Sequence, residues 1–540
     1  MSTGAKSFPD SLVAQYTATG AWGTDTVSRL VRGLCSNGRG SRPAYIAGDQ
    51  LLTWDDYERV AGSAAAGLAG AGLPAGGLVG VFLPDLPITH VIYLALEKAG
   101  LTVVGIGPRS GRHEILHLLR TSGATALITL PSFRDNDQRE LFRSLAAELP
   151  ELRHHIVLTR LEPLAMELDG TRLDLPAAMP LPGEGLGPND LFMVNATSGT
   201  TGLPKCVQHT QNRWLNFARH AVRAGELTED DVVMGVLPAP FGFGLWSAHF
   251  LPPVLGVPVV LMDRWDTHDA LTQMRRHGVT VFIGVTTQLM MLLDLLEAGE
   301  LPPPELRVVF TGGEAVPYER TARFEKLTGA RVLQFYGSNE SGALSCTTMA
   351  DDESHRLRTA GHVIEDMQVE LIDPVTGAVL LEPGQVGQPT CHGPLMSPGY
   401  FNDDAANATL FDGRGHMRMG DLATISADGY LTVVGRVADI IIRGGMNISA
   451  SEVEAGVLSH PAVDLVAVVG VPHETFGEQV CAFVQLRGGY TLGLEELRVH
   501  LDRRGMAKYS WPEQLRILDA MPRNAGEKIA KDVLRRMPPD

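Results

Sequence analysis

Apolar residues in this chain fall into two rhythms. Short unbroken runs at 78–83 and 101–106 read as buried strands, while 89–99 and 114–120 carry their apolar residues at helical spacing. Strand–helix–strand alternation of this kind implies a parallel sheet covered by helices. Residues 131–190 are richer in charge and proline and read as surface helix and connection, ending in an apolar run at 191–194. The alternation resumes afterwards, with strands expected at 232–237, 259–262, 279–284 and 306–310. From 360 to 435 glycine and proline are frequent and apolar runs are short, as in a β-rich subdomain. A further change near 436–440 opens a segment with strands expected at 463–471 and 480–486 and helices at 451–457 and 494–504. The expected fold class is α/β: a large N-terminal domain over 1–437 with parallel-sheet and β-rich subdomains, and a small α+β domain over 438–540.

The apolar run at 191–194 feeds the stretch that organises the chemistry, 196–207, Ala-Thr-Ser-Gly-Thr-Thr-Gly-Leu-Pro-Lys-Cys-Val. Glycines and short hydroxyl side chains together form a concave nest of donors for phosphate oxygens, and Lys205 adds a point charge. A Walker A loop counted from Gly199 needs glycine where Pro204 stands and Ser or Thr where Cys206 stands, so that reading is set aside. An ordinary Ser/Thr/Gly turn stays open on this stretch alone.

Composition narrows the classes. With 540 residues the chain is long enough for two or more domains. A formal charge of −17 argues against a nucleic-acid surface. Residues 1–10 lack the basic start and apolar stretch of a signal peptide, and the longest apolar run, 250–262, holds three prolines and is too short for a bilayer. A cytoplasmic protein without membrane or nucleic-acid partners, monomeric or homodimeric, is expected. Cys35, Cys206, Cys346, Cys391 and Cys481 are scattered without a C-x-x-C pair, which suggests neither a zinc site nor a disulfide framework.

Four more stretches carry polar residue types suited to a nucleotide. In Tyr336-Gly337-Ser338-Asn339-Glu340, a carboxylate beside a phosphate loop suggests Mg²⁺ and Tyr336 offers an aromatic face to a base; a strand-end turn with an exposed Glu is the alternative. Asp421 follows Gly420 and precedes Gly435-Arg436, and its carboxylate suits a ribose diol, although a turn Asp is commoner. At 439–454 an apolar strand enters the Gly444-Gly445 turn, and Ser449 or Ser451 can cap the helix that follows. Residues 522–529 form a glycine-containing turn carrying Lys528; for these last two, a plain solvated turn is the simpler reading.

In their order and spacing these motifs resemble the adenylate-forming superfamily: acyl- and aryl-CoA synthetases, stand-alone adenylation enzymes and firefly luciferase. The resemblance runs from Leu52-Thr53-Trp54 through the loop at 197–205, Tyr336–Glu340, Gly393-Pro394, Gly399-Tyr400, Gly420-Asp421, Gly435-Arg436 and Gly444-Gly445. It implies activation of a carboxylate by ATP and Mg²⁺ to acyl-AMP and pyrophosphate, then transfer of the acyl group to a thiol. Carried over by position, Thr197, Ser198, Gly199, Thr200, Thr201, Gly202 and Lys205 would hold the phosphates, with Thr201 among the catalytic groups. Gly313, Glu314, Tyr336, Gly337 and Asn339 would border the nucleotide, Glu340 would hold Mg²⁺, and Asp421 with Arg436 would bind the ribose. Lys528 would reach the α-phosphate and the acid, and Gly444 and Gly445 would line the CoA channel. The chain departs from the family pattern at Cys206 and Glu527, where glycine is usual, at Gln211, where many members have histidine, and at the hinge residue Ala438.

The resemblance places the acid pocket around Phe241, Gly242, Phe243, Trp246, Gly312 and Ser338. No aspartate stands near Phe241 as in amino-acid-activating members, and no His-Asn pair as in salicylate- and dihydroxybenzoate-activating ones. The aromatic lining suits a flat or cyclic acid. An aromatic or cyclic carboxylic acid with coenzyme A as acceptor is expected. The alternatives are a medium-chain fatty acyl-CoA ligase, an enzyme loading a carrier protein, and an inactive nucleotide-binding relative.

Overall fold

A computed structural model describes residues 5–161, 163–176, 185–196, 204–299, 301–314, 316–443, 446–523 and 529–538. Its contacts group into two units, the first taking in Met1–Thr197, Leu203–Gln368 and Cys391–Met417, the second Val369–Thr390 and Arg418–Asp540.

Two large sheets build the first unit. In one of them the strands Arg331–Ser338, Val308–Gly312, Val281–Ile283, Val233–Gly235, Val259–Leu261 and Pro43–Ala47 lie side by side and parallel. Gly342–Cys346 extends it antiparallel at one edge and Gln50–Thr53 at the other. In the second sheet His154–Leu161, Ala126–Thr129, Leu78–Phe82, Thr102–Gly105 and Met193–Ala196 are parallel. The antiparallel strands Cys206–His209 and Leu164–Leu168 flank them. The apolar runs became central strands because a parallel strand is covered on both faces and has no room for a polar side.

The stretch 131–190 departs from expectation. It holds the helix Gln138–Ala146, but also the strands His154–Leu161 and Leu164–Leu168. Only Ile156, Val157 and Leu158 form an apolar core there, between polar neighbours. His155 is taken into the strand because its ring stacks on Phe142 at 4.4 Å and its Nε2 pairs with the Thr129 hydroxyl at 2.9 Å. Burial pushes the His155 imidazole down to about 4, so it stays neutral and costs little to bury.

The helix Pro87–Lys98 is buried along its whole length, its apolar faces interrupted by His90 and, at its C-terminal end, by Glu97 and Lys98. Thr53 caps Trp54–Gly70 through a reciprocal pair with Asp56. Among the described residues no helix is long and apolar enough to cross a membrane.

The second unit carries a five-stranded sheet of Met446–Ser449, Ile440–Arg443, Gly477–Leu486, Val463–His473 and Gln514–Ile517. Its long strands alternate, apart from a register shift between Val463 and Leu465. Val468, Val480, Ala482 and Val484 face one core with Val453, Val457, Leu497 and Leu501, while Ala467, Val469, Cys481 and Phe483 face another with Leu534. Ser449 caps the helix Ala450–Leu458 by accepting from the Glu452 amide, and Ser451 donates instead to the Val434 carbonyl at 2.5 Å. A hairpin, Asp421–Ile425 with Leu431–Arg436, joins the sheet through the single turn Val437–Asp439.

Candidate active site

In the first unit the site is built where strand ends of both sheets deliver polar side chains. Met193–Ala196 and Cys206–His209 pair antiparallel with Ala196 opposite Cys206, so the chain between them leaves and returns at one neck. Thr197, Ser198, Gly199, Thr200, Thr201 and Gly202 lie outside the described residues. Just before the returning strand, exposed Lys205 places its ammonium 4.8 Å from the centre of the Tyr400 ring. Cys206, which stands in a family glycine position, packs into the core with Val194 and Phe401, and burial pushes its thiol up to about 12. It is an inert packing residue.

Below the neck lies a buried polar chain that the sequence reading did not single out. Arg213, fully buried on the helix Gln211–Ala224, sends Nη2 to the carbonyls of Asn339 at 2.5 Å and Glu340 at 3.0 Å, and Nε to the Leu395 carbonyl. Its Nη1 approaches His209 Nδ1 at 2.6 Å, and the Trp214 indole donates to the same nitrogen at 3.1 Å. Two donors on Nδ1 leave the ring proton on Nε2, which lies 2.8 Å from Asn195 Oδ1. Burial, with the guanidinium alongside, holds His209 well below its usual value, in keeping with a neutral ring. Asn195 in turn donates to the Pro240 carbonyl at 2.5 Å and accepts from Asn339 Nδ2 at 2.6 Å. The charge of Arg213 is thus spread over carbonyls and a ring; burial brings it down to about 9 and nearby Glu340 opposes that fall. The sequence signals were modest: Asn195 directly after an apolar run, and His209 four residues before Arg213 across a strand–helix junction.

The network fixes the turn that carries Glu340. Ser338 Oγ accepts from the Glu340 amide at 3.2 Å and the Ser341 amide at 3.1 Å, and Ser397 donates its amide to the Glu340 carbonyl at 2.6 Å. Gly337 is required by close approach, since a Cβ there would collide with the Gly342 carbonyl. Tyr400 donates its hydroxyl to Glu340 Oε1 at 2.7 Å; burial first, then the carboxylate, raises its pKa. Among the described residues no cluster of three or more His, Cys, Asp or Glu is placed to hold a metal alone. One half-buried carboxylate fits Mg²⁺, which keeps waters and takes most other ligands from substrate phosphates.

Gly312 pairs with Phe335, which sets Gly313, at a φ of +83°, and exposed Glu314 close to half-buried Tyr336. Gly312 also borders the acid-pocket residues, for a Cβ on it would lie 3.1 Å from the Phe243 ring. Phe243 meets Trp246 edge to face at 5.6 Å. Trp246 is fully buried among Phe217, Phe310 and Phe335, with ring centroids 4.9, 5.6 and 5.8 Å away, so it serves as floor rather than lining. Phe241 is the open member, 37% exposed at the start of the short helix Gly242–Leu245. At Gly242 a Cβ would sit 3.1 Å from the Trp214 ring and 3.2 Å from Asn339 Oδ1. The structure therefore brings Phe241, Gly242, Phe243, Gly312, Tyr336, Ser338, Asn339 and Glu340 into one neighbourhood. Gln211, where the family often has histidine, is buried and accepts from the Val27 amide at 2.8 Å.

Asp421 and Arg436 belong to the second unit, opposite each other in the hairpin, with Nε 3.4 Å from Oδ1. Gly444, Gly445, Glu527 and Lys528 lie outside the described residues. On either side of 524–528, Arg523 and Ile529 form an antiparallel bridge. Asp439, directly after Ala438, accepts from Lys531 Nζ at 3.0 Å and Arg535 Nη2 at 2.7 Å; Lys531 also meets Glu454 at 2.9 Å, and Arg535 reaches the Ala438 carbonyl at 2.9 Å.

A strand-bounded loop, a carboxylate turn and an aromatic pocket assembled from such distant segments define a class, and the chain belongs to it: the AMP-binding enzymes, matched over residues 35–401, with the AMP-binding enzyme C-terminal domain matched over 452–528. It is thus an adenylate-forming ligase, activating a carboxylic acid with ATP for transfer to CoA or a carrier protein. Similar proteins span most of it. The medium-chain fatty-acid–CoA ligase of Escherichia coli is 30% identical over 90% of this chain and 85% of its own. The salicyl-AMP ligase/salicyl-S-ArCP synthetase of Mycobacterium tuberculosis is 30% identical over 98% and 94%. Among solved structures, o-succinylbenzoate CoA synthetase from Bacillus subtilis, in complex with its acyl-adenylate intermediate, superposes with a TM-score of 0.78 at 28% identity, covering 94% of this chain and 98% of that one.

Proposed function

We propose that this protein activates an aromatic or cyclic carboxylic acid and passes it to coenzyme A in the cytoplasm. The observation that carries the choice of acid is Phe241, an aromatic ring left 37% exposed above an otherwise buried aromatic floor. An apolar ring stacked there gains burial on both faces, whereas a charged substituent finds no charged partner among Phe241, Gly242, Phe243 and Gly312.

The chemistry needs no protein nucleophile. The substrate carboxylate attacks the α-phosphorus of ATP and pyrophosphate departs, so the protein must position two anions and offset charge. In this reading 197–205 holds the polyphosphate, Gly313, Glu314, Tyr336, Gly337 and Asn339 border the nucleotide, and Asp421 with Arg436 holds the ribose. Glu340, steadied by Tyr400, would hold Mg²⁺, which would act as a Lewis acid on the phosphates. Lys528 bridges the α-phosphate and the acid. The turn Val437–Asp439 is the boundary between a domain over 1–437 and a mobile one over 438–540; a separate sheet with its own two cores after it supports that division. After rotation, the face bearing Gly444 and Gly445 would line the CoA channel.

Acid-dependent ATP–pyrophosphate exchange across benzoic, naphthoic, alicyclic and medium-chain acids, followed by CoA, tests this reading. Exchange with the aromatic or alicyclic members and thioester formation with CoA are expected. Exchange only with medium-chain acids would transfer the assignment to a fatty acyl-CoA ligase, the activity named for the Escherichia coli relative. Adenylate formation with no turnover on CoA would point to a carrier protein, as in the name of the Mycobacterium tuberculosis relative.

A further inference from the structure

The pocket loop is anchored from outside in two places. Residues 238–241 form a turn closed by the Phe241 amide on the Pro238 carbonyl at 3.0 Å. Neither anchor is part of that turn. Asp85, just beyond the strand Leu78–Phe82 and 95% buried, accepts from the Ala239 amide at 3.1 Å through Oδ1. Asn195 donates to the Pro240 carbonyl at 2.5 Å. The two bonds therefore flank the Ala239–Pro240 peptide, immediately before Phe241. The Phe241 ring lies against Gly107, where a Cβ would sit 2.8 Å from it.

We infer that Asp85 is a positioning residue for the acid pocket: together with Asn195 it clamps the Ala239–Pro240 peptide and so sets where Phe241 presents its ring. The role rests on the adenylation reading above. A carboxylate fully withdrawn from water is costly, and nothing cationic among its partners offsets the cost. Burial, opposed by the Ala239 bond and reinforced by Asp263, pushes the Asp85 carboxyl up to about 7. The other titratable group bearing on it is Tyr93, whose hydroxyl is raised by burial and by Asp85 and whose ring in turn meets those of His90 and His249. Burial holds both histidines neutral, His90 at about 3. An ionised carboxylate accepts a stronger hydrogen bond than a protonated one. The clamp therefore tightens as pH rises through about 7 and slackens below it.

Two variants and two readouts test the clamp. In D85A, hydrogen exchange of the amides at 239–245 should quicken at least about tenfold relative to the Glu340 turn, a local opening that needs no substrate. The KM for the acid should rise between about tenfold and a hundredfold, as for a pocket displaced by about 1 Å, with the KM for ATP within about twofold of wild type. D85N keeps the acceptor oxygen without the titration. Being neutral like the protonated acid, it should show an acid KM that is flat with pH and close to the raised value that the wild type reaches as pH falls below about 7. Unchanged exchange in D85A, an equal rise in both KM values, or a wild-type pH profile in D85N would overturn the assignment. Should D85A fail to fold, D85N carries the test alone. A wild type silent with every acid would remove the adenylation reading, while the exchange measurement still decides the clamp.

Discussion

At the scale of single residues, the balance between burial and charge sets two testable behaviours. Glu97 is buried on the helix Pro87–Lys98, accepts from the Ser28 amide at 3.0 Å, and is pushed up to about 7 by burial. A carboxyl raised in the folded state stabilises most below its unfolded value, and that contribution is lost as pH rises through the folded one. Glu97→Gln keeps the acceptor for Ser28 and has no charge to bury. Its free energy of unfolding should match wild type near pH 5 and exceed it near pH 8, by a few kcal/mol at most, and a gap independent of pH would mean that Glu97 is not the titrating group. Lys528 belongs to the same scale through chemistry. Lys528→Ala should cost about 10²–10³-fold in acyl-adenylate formation, as for one electrostatic contact at a reacting centre, and much less in thioester formation from supplied acyl-AMP. Equal losses in both half-reactions would remove Lys528 from the first step.

At the scale of elements, the helix Gln211–Ala224 governs the turn carrying Glu340 through one side chain. Arg213→Met has similar bulk but leaves the carbonyls of Asn339 and Leu395 without their donor, at about 1–3 kcal/mol for each buried group, and leaves that of Glu340 with the Ser397 amide alone. Chemical denaturation should show a loss of about 3 kcal/mol or more, and the KM for Mg-ATP should rise more than that for the acid. Arg213→Lys should not rescue it, because an ammonium cannot reproduce the planar fork. If the variant were as stable as wild type, the carbonyls would have found other donors. Elements of this kind were unevenly legible in the sequence. The run at 78–83 announced a central strand because a parallel sheet buried on both faces leaves only apolar residues and glycine there, and 306–310 did so from Val308 onward, past the charged Arg307. His154–Leu161 was not legible, since its signal is diluted by His154, His155 and Arg160, and only the Phe142 ring explains why a histidine is acceptable inside it. The aromatic pocket was read as a set of equals, but Trp246 is floor and Phe241 is lining, a difference made by Phe217, Phe310 and Phe335 arriving from other elements.

At the scale of the whole molecule, motifs that act through their own backbone were legible, because glycine and hydroxyl patterns are local. The Asn195–His209–Arg213–Asn339 chain was not, since Asn195 meets Asn339 across 144 positions of sequence. Nor was the anchoring of the C-terminal helix Lys531–Arg535, whose charges meet Asp439 more than ninety positions earlier. These ion pairs are partly solvated, each worth about 1 kcal/mol or less, so their effect should be local order rather than global stability. In Asp439→Ala, trypsin should cut after Lys531 and Arg535 faster than in wild type at an almost unchanged melting temperature; equal cleavage rates would show that the helix is held by Leu534 alone. The same contacts decide how this enzyme can be recombined with its relatives. A crossover placed between 440 and 530 takes Asp439 from one parent and its cations from the other, while one at 437 inherits the set intact. Hybrid libraries should therefore keep the Lys531–Arg535 helix ordered when joined at or before Val437, and fray it when the seam falls between Asp439 and Lys531.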